Sequence, residues 1–216
     1  VYEKEPPPAD HPLFRFENFV CTPHIGASTE EAQVAVAVAI AEQLAAYLQH
    51  GVVKNAVNVL GLSREVMDQL APYLPLVEKL GSLAAQVAPT GPTEVTVEVA
   101  GELSAHPSRP LANRALVGIL RRFLETPVNE VNAPAIARER GLALKEVRSA
   151  EPLDYASLVT VRVRGAGGEA LVAGTVYGKN DARIVRVDGF RLEAVPDGNI
   201  ILCENDDAPG VVGNLG

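Results

Sequence analysis

The chain has 216 residues, a formal net charge of −8, 47% apolar and 21% charged residues, and two cysteines. This composition excludes wholesale disorder, and the length allows one or two domains with a substantial core. The acidic balance argues against nucleic-acid binding, the lack of an 18-residue apolar run against a membrane span, and the cysteine count against a disulfide framework.

The charges are unevenly distributed along the chain. Both ends are acidic, with three bases against seven acids in 1–60 and one base against six acids in 188–216, while the middle is close to neutral. This pattern indicates three parts, which we place at 1–61, 62–189 and 190–216. No basic region followed by an apolar stretch indicates a secretory signal, so we expect a cytoplasmic protein.

The first part predicts a strand, a turn and a long helix. Phe19–Cys21 is typical of a short buried strand, and the Pro and Gly of Thr22–Gly26 indicate a turn. Ser28, with a glutamate three residues later, predicts a capping box and a helix that runs to about Gln49. A second strand is predicted over Ala56–Val59.

The middle part predicts a mixture of helices and strands. The predicted helices cover about 63–70, 76–87, 110–125 and 133–140. The strict alternation of Thr93–Val99 predicts a half-buried strand, and three more strands are predicted near 157–164, 169–177 and 182–188. The short spacing of these strands favours an α+β fold with an antiparallel sheet. In the last part, Gly198–Cys203 predicts a strand, and a helix is predicted to begin at Val211.

One glycine-rich string has the spacing of a dinucleotide-binding loop. Gly165–Ala170 fits the pattern G-x-G-x-x-A, which binds dinucleotides when a strand precedes it and a helix follows. Here the residues that follow, Leu171–Tyr177, have the pattern of a strand. We therefore interpret the glycines as a hairpin turn between two strands.

One histidine lies between a predicted strand and a capped helix, a position where functional sites are common in α/β proteins. His24 follows a proline and precedes Ile-Gly at this position. A histidine titrates near neutral pH, so it can take a proton from a hydroxyl and return it. Glu5, 19 residues earlier, is a candidate carboxylate to orient the ring. A loop histidine without a catalytic role remains the alternative on this local argument alone.

Several ordered motifs closely resemble the D-2-hydroxyacid dehydrogenases, and among them the long form of the D-3-phosphoglycerate dehydrogenases. The motifs are Val1–Pro6, His11–Leu13, Asn18–Ala32, Asn55–Asn58 and, further on, Asn205–Gly213. The longest of them contains the string Thr-Pro-His-Ile-Gly-Ala-Ser-Thr-Glu-Glu-Ala. The resemblance implies oxidation of 3-phosphoglycerate to 3-phosphohydroxypyruvate with NAD, the first step towards serine, in a tetrameric enzyme.

The same resemblance implies roles for residues of the first part. His24 matches the catalytic histidine and Glu5 its carboxylate partner. Gly26 and Ala27 match the turn whose backbone lies close to the nicotinamide of NAD. The family's glycine-rich cofactor loop and its substrate-binding arginine have no counterpart in these 216 residues.

The resemblance also implies an architecture. It makes 1–61 the C-terminal remnant of a Rossmann-type dehydrogenase region, 62–189 an intervening, allosteric substrate-binding domain, and 190–216 the start of a ferredoxin-like ACT domain. We expect a slice of a longer enzyme, cut at both ends and inactive alone. The alternatives are another D-2-hydroxyacid dehydrogenase, such as a glyoxylate reductase, and a regulatory ligand-binding module without catalysis.

The acidic loop at 204–209 is either a solvated turn or an effector site. Asn and Asp favour turns, yet an amide and a carboxylate before a helix also suit the α-ammonium and α-carboxylate of an amino acid. The ACT resemblance implies that Asn205 and Asp207 contact serine. Such sites commonly lie between two subunits.

The middle part contains many arginines, most of which we expect on solvated faces. Arg162 and Arg164 are predicted to share one face of a strand. Long-form relatives are thought to bind a phosphorylated ligand near this domain, and Arg183 is the best candidate for anion binding, since a guanidinium suits phosphate. No metal site is predicted, and Cys21 and Cys203 are expected to be buried strand residues.

Overall fold

The chain forms two compact units, unit 1 (Val1–Gly61) and unit 2 (Leu62–Gly216). The computed structural model describes residues 2, 4–22, 24–50, 53–57, 62–88, 91–150, 154–204, 210 and 213.

Unit 1 begins with an irregular segment around a short 3₁₀ helix, Pro12–Arg15. His11 caps this helix, because its Nδ1 accepts a hydrogen bond from the Leu13 N–H at 3.3 Å. Four aromatic rings follow one another at centroid distances of 5.1, 5.7 and 6.0 Å, those of Tyr2, His11, Phe14 and Phe19. These ring contacts hold together a segment in which the described residues form no strand.

A long helix, α1 (Glu30–His50), completes the regular structure described in unit 1. Thr29, not Ser28 as the sequence predicted, caps it, because Thr29 Oγ1 accepts from the Ala32 N–H at 3.2 Å. Ser28 belongs to the preceding turn, where its N–H donates to the Ile25 carbonyl.

Helix α1 is also the one helix in the described part of the chain with the length and apolar content needed to cross a membrane. Core helices of soluble proteins are often as long and as apolar, so length and apolar content do not distinguish a membrane-spanning helix from a core helix. Its apolar side chains, such as Val34 and Leu48, are exposed within unit 1.

The described residues of unit 2 form four α-helices and six strands. The helices are α2 (Arg64–Leu70), α3 (Tyr73–Val87), α4 (Arg109–Leu120) and α5 (Ala133–Glu139). The strands are β1 (Pro92–Gly101), β2 (Ala143–Ser149), β3 (Ser157–Gly165), β4 (Gly168–Tyr177), β5 (Asp181–Val187) and β6 (Phe190–Ala194). A 3₁₀ helix, Glu102–Ala105, follows β1. Ser63 caps α2 as predicted, since its Oγ accepts from the Val66 N–H.

The six strands form one mixed sheet in the order β2-β1-β3-β4-β5-β6. Four of the five pairings are antiparallel, as predicted. The fifth is parallel and places Glu94 of β1 opposite Ala143 of β2. A parallel pair needs a long crossover, and α4 and α5 supply it. The wholly antiparallel prediction was therefore wrong at one edge, where β2 was not predicted at all.

Helices α3 and α4 enclose the core of unit 2, and α3 packs on β3 and β4. The alternation of β1 buries its three central valines completely and leaves the polar residues between them partly exposed. The fully buried side chains include Val95, Val97, Val99, Leu76, Leu80, Leu111, Leu116, Ile119, Val159 and Val161. This layer of helices on a sheet confirms the α+β prediction for the middle part.

Two glycines allow α3 and α4 to approach closely. A Cβ on Gly118 would lie 2.0 Å from the Glu78 carbonyl oxygen, and one on Gly81 would lie 2.3 Å from the Ala115 carbonyl oxygen. The Glu78 side chain bridges the same two helices by pairing with Arg114 at 3.1 Å and with Arg121. The two glycines therefore allow backbone contact between the helices, and the ion pairs of Glu78 link them.

The glycine-rich string forms the predicted hairpin. Gly165 at the end of β3 pairs with Gly168 at the start of β4, so a strand and not a helix follows the glycines. This geometry gives no helix N-terminus to receive a pyrophosphate.

Three strands predicted outside the middle part are wrong where the structure describes them. Phe19–Cys21 and Gly198–Cys203 form no strand, and Ala56 and Val57 do not either. Val20 and Ile201 are 87% and 86% exposed. Short apolar runs become strands only beside a partner strand, and none of the described strands lies beside these.

The cysteine prediction fails for the same reason, since Cys21 and Cys203 are both exposed. The rest of the predicted strand at 58–59 lies outside the described residues. So does the predicted helix after Val211, apart from Gly213, which is helical.

Candidate acid–base site

His24 and Glu5 lie side by side in unit 1. His24 Nδ1 is 2.6 Å from Glu5 Oε2, and the two side chains are 69% and 31% exposed. An ionised carboxylate only accepts hydrogen bonds, so Nδ1 carries the proton of the neutral ring and Nε2 keeps its lone pair. The ring is thus an accessible base with its tautomer set by a carboxylate.

Two loops bring these side chains together. Glu5 lies in a bend directly before Pro6, Pro7 and Pro8, whose rings restrict the backbone. His24 precedes the turn at Gly26 and Ala27, which leads into the Thr29 cap of α1. The pair therefore sits on loops that a proline run and a helix start hold in place.

The second oxygen of Glu5 also has a partner, which the sequence analysis missed. The Tyr2 N–H donates to Glu5 Oε1 at 3.0 Å. The hydrogen bond with His24 and, second, the one from Tyr2 hold the pKa of Glu5 below its ordinary value, against the opposing effect of burial. Glu5 is therefore a carboxylate near neutral pH. The only advance signal was the three-residue spacing from Tyr2 to Glu5, which is that of a turn.

Gly26 and Ala27, the predicted cofactor contacts, follow His24 closely and are exposed. A Cβ built on Gly26 meets no atom within 4 Å. The backbone beside the His24–Glu5 pair is therefore sterically open on the side where a Gly26 side chain would lie. Ile25, between His24 and Gly26, is 53% exposed and adds apolar surface to the same place.

Arg183, the predicted anion-binding residue, lies in unit 2 on β5. Its guanidinium pairs with Asp181 and, at 3.5 Å, with Glu193, and it also donates to the Ala182 carbonyl. Two carboxylates already balance its charge. An anion that binds here has to compete with them.

Arg162 and Arg164, which were predicted to share one face of a strand, also share one partner. Both pair with Glu169 of the neighbouring strand, Arg164 at 2.7 Å. Their hydrogen bonds, that of Arg162 first, hold the pKa of Glu169 below its ordinary value. These arginines are thus engaged in an ion-pair cluster on the sheet.

Unit 2 also contains an open cavity of about 460 Å³ at the start of α3, near the β4–β5 turn. Asp68 and Lys79 line it together with Pro72, Leu76 and Asn180. Since Lys79 lies 3.8 Å from Asp197, the charges at this cavity are mixed and do not select an anion.

The predicted effector residues Asn205 and Asp207 lie outside the described residues. Within the part of the chain that the structure describes, no three His, Cys, Asp or Glu side chains converge on a point suited to a metal ion.

A family match covers most of unit 2. The sequence model of the family described as the D-3-phosphoglycerate dehydrogenase intervening domain matches residues 69–188. These residues run from the end of α2 to just past β5 and contain the buried core of the sheet.

The whole chain is similar to curated proteins named D-3-phosphoglycerate dehydrogenase. The one from Archaeoglobus fulgidus is 36% identical over 216 residues, covering 100% of this chain and 41% of the relative. The one from Synechocystis sp. is 38% identical over 217 residues, with 100% and 39% covered. The one from Bacillus subtilis is 30% identical over 220 residues, with 100% and 41% covered. The chain thus spans about two fifths of the length of these relatives.

Proposed function

The chain belongs to the D-3-phosphoglycerate dehydrogenase intervening-domain family, and on that premise we propose that its full protein is an NAD-dependent D-3-phosphoglycerate dehydrogenase. The proposed reaction oxidises the C2 hydroxyl of 3-phosphoglycerate to the ketone of 3-phosphohydroxypyruvate, the first step towards serine. The observation that carries the proposal is the 2.6 Å contact between His24 and Glu5, a base with its orienting carboxylate. The choice of 3-phosphoglycerate as the substrate is supported by the names of the relatives, which are called D-3-phosphoglycerate dehydrogenase.

His24 is the proposed acid–base residue. Its Nε2 accepts the proton of the substrate's C2 hydroxyl during oxidation and returns it in the reverse direction. Glu5 holds the Nδ1–H tautomer and stabilises the imidazolium that forms. Because Glu5 is ionised near neutral pH, this stabilisation is in place before the substrate reacts.

NAD, when bound, supplies the hydride acceptor. Gly26 and Ala27 are the residues of this chain proposed to lie against its nicotinamide, and the open space above Gly26 suits that role. Since the glycine-rich string at 165–170 is a hairpin, we propose that the cofactor's phosphates bind elsewhere in the full protein. The 216 residues alone are proposed to be inactive.

The test is His24→Ala in the full natural protein, with NAD-dependent oxidation of 3-phosphoglycerate as the assay. We expect kcat to fall about 1,000-fold, the size of a typical acid–base contribution. His106→Ala, a histidine of unit 2 that takes no part in the His24–Glu5 pair, is the matched control and should leave kcat unchanged. An unchanged kcat in His24→Ala would remove the proposal. If kcat/KM for the reduction of glyoxylate with NADH exceeded kcat/KM for 3-phosphoglycerate, the alternative of another D-2-hydroxyacid dehydrogenase, a glyoxylate reductase, would be favoured.

Serine is the proposed feedback effector, acting through an ACT domain in the last part of the chain, after β6, which is the edge strand of the unit 2 sheet. Asn205 and Asp207 are proposed to bind its α-ammonium, because an amide oxygen and a carboxylate accept its hydrogen bonds. Serine titration of the full protein tests this, and the absence of inhibition at millimolar serine would remove it. The full protein is further proposed to be a cytoplasmic tetramer, and Arg183 to bind an anionic ligand.

A further inference from the structure

The Glu5 carboxylate is oriented from two sides. Oε2 faces His24 Nδ1 at 2.6 Å, while Oε1 accepts the backbone N–H of Tyr2 at 3.0 Å. A carboxylate held at one oxygen can still rotate, but bonds at both oxygens fix its plane. The direction in which Glu5 presents Oε2 to His24 therefore depends on the position of the Tyr2 backbone.

The Tyr2 side chain anchors that backbone. Its ring stands edge-on to the His11 ring, with centroids 5.1 Å apart, and His11 in turn contacts the Phe14 ring at 5.7 Å. His11 is itself fixed, because its Nδ1 accepts the Leu13 N–H.

We propose that Tyr2 is a positioning residue for the His24–Glu5 pair: its ring, seated on His11, fixes the backbone N–H that orients the Glu5 carboxylate. This inference rests on the proposed function, since it assigns a role within the same site. It requires the ring and not the hydroxyl, because edge-to-face packing on His11 is the contact that locates the backbone.

The test uses the full natural protein and NAD-dependent oxidation of 3-phosphoglycerate. Tyr2→Ala should lower kcat about tenfold, because a small misplacement of a catalytic pair is costly. The KM for 3-phosphoglycerate should stay within about twofold, since the pair acts mainly on the chemical step. Tyr2→Phe keeps the ring and is the matched control, with kcat expected within about twofold of the wild type.

The distinguishing measurement is a double-mutant cycle with Glu5→Ala. A residue that acts through Glu5 loses its effect once Glu5 is gone, so Tyr2→Ala should cost nothing further in that background. A residue that merely stabilises the fold would cost the same tenfold in both backgrounds, and that result would overturn the inference. His11→Ala removes the seat of the ring and provides a second variant, expected to lower kcat about threefold and to be equally silent without Glu5.

The two proposals fail separately. If His24→Ala abolishes turnover while Tyr2→Ala and His11→Ala leave kcat at the wild-type value, only the positioning role is overturned. If His24→Ala itself leaves kcat unchanged, the proposed function fails.

Discussion

Glu5 Oε2 lies 2.6 Å from His24 Nδ1, and this contact joins two loops whose residues are 19 positions apart in the chain. The contact gives an exposed histidine ring a defined tautomer. It also lowers the pKa of the carboxylate that holds the ring.

Glu5→Gln should alter the pH dependence of stability. The pKa of Glu5 is lower in the folded chain than in the unfolded chain, where a glutamate titrates at about 4.3. Its ionised form therefore favours folding above that pH, and the contribution disappears as the pH falls through the folded value. Thermal unfolding midpoints of wild type and variant should differ most at pH 7 and converge in acid.

Glu17→Gln is the matched control for this experiment, since Glu17 is an exposed glutamate of the same unit. It removes a carboxylate from unit 1 without removing the His24 contact, and so separates the loss of a charge from the loss of that contact. A gap between wild type and Glu5→Gln that stays constant from neutral to acid pH would contradict the assignment.

Gly118→Ala should destabilise unit 2 by about 2 kcal/mol, because overpacking costs more than the gain in helix propensity. The added Cβ would lie 2.0 Å from the Glu78 carbonyl oxygen, a backbone atom that cannot move without separating α3 from α4. Urea unfolding measures the change. Gly189→Ala is the control, because a Cβ there meets no atom within 4 Å. Equal stability of the two variants would show that the helices do not pack this closely.

The anion proposal for Arg183 predicts opposite effects of two substitutions. Arg183→Met should abolish binding of inorganic phosphate. Asp181→Asn should strengthen binding about threefold, since it removes a competing surface charge. Isothermal titration calorimetry with phosphate measures both, and Arg138→Met, an exposed arginine on α5, is the control. Equal phosphate binding by wild type and Arg183→Met would exclude the role.

Much of unit 2 was predictable because its pattern is local. Thr93–Val99 alternates strictly, and the structure buries the three valines of that run, Val95, Val97 and Val99. Ser63 stands directly before the helix that it caps. Strand β2 was missed because Ala143–Ser149 is a charged edge strand without alternation, and its parallel pairing depends on a distant partner. The strand at Phe19–Cys21 was predicted wrongly, because an apolar run alone does not supply a partner.

The candidate site, too, has residues that the sequence identified and residues that it did not. The sequence identified His24 and Glu5, one from its place before a helix and both from the motifs they share with a family. The sequence did not identify Tyr2, because its contribution is a backbone N–H whose direction depends on rings at other positions. Nor did the sequence show that Arg183 forms ion pairs with Asp181 and Glu193. Only the pairing of β5 with β6 brings Glu193 close to the Arg183 guanidinium.

The sequence by itself determined the family, the candidate base and the main strands, because motifs and side-chain periodicity are carried by neighbouring residues. Only the tertiary structure decided which oxygen of Glu5 meets which nitrogen of His24, which glycines let α3 and α4 touch, and which arginines are already paired. Those relations depend on distances between residues far apart in the chain, and such distances are set by packing and not by local preference.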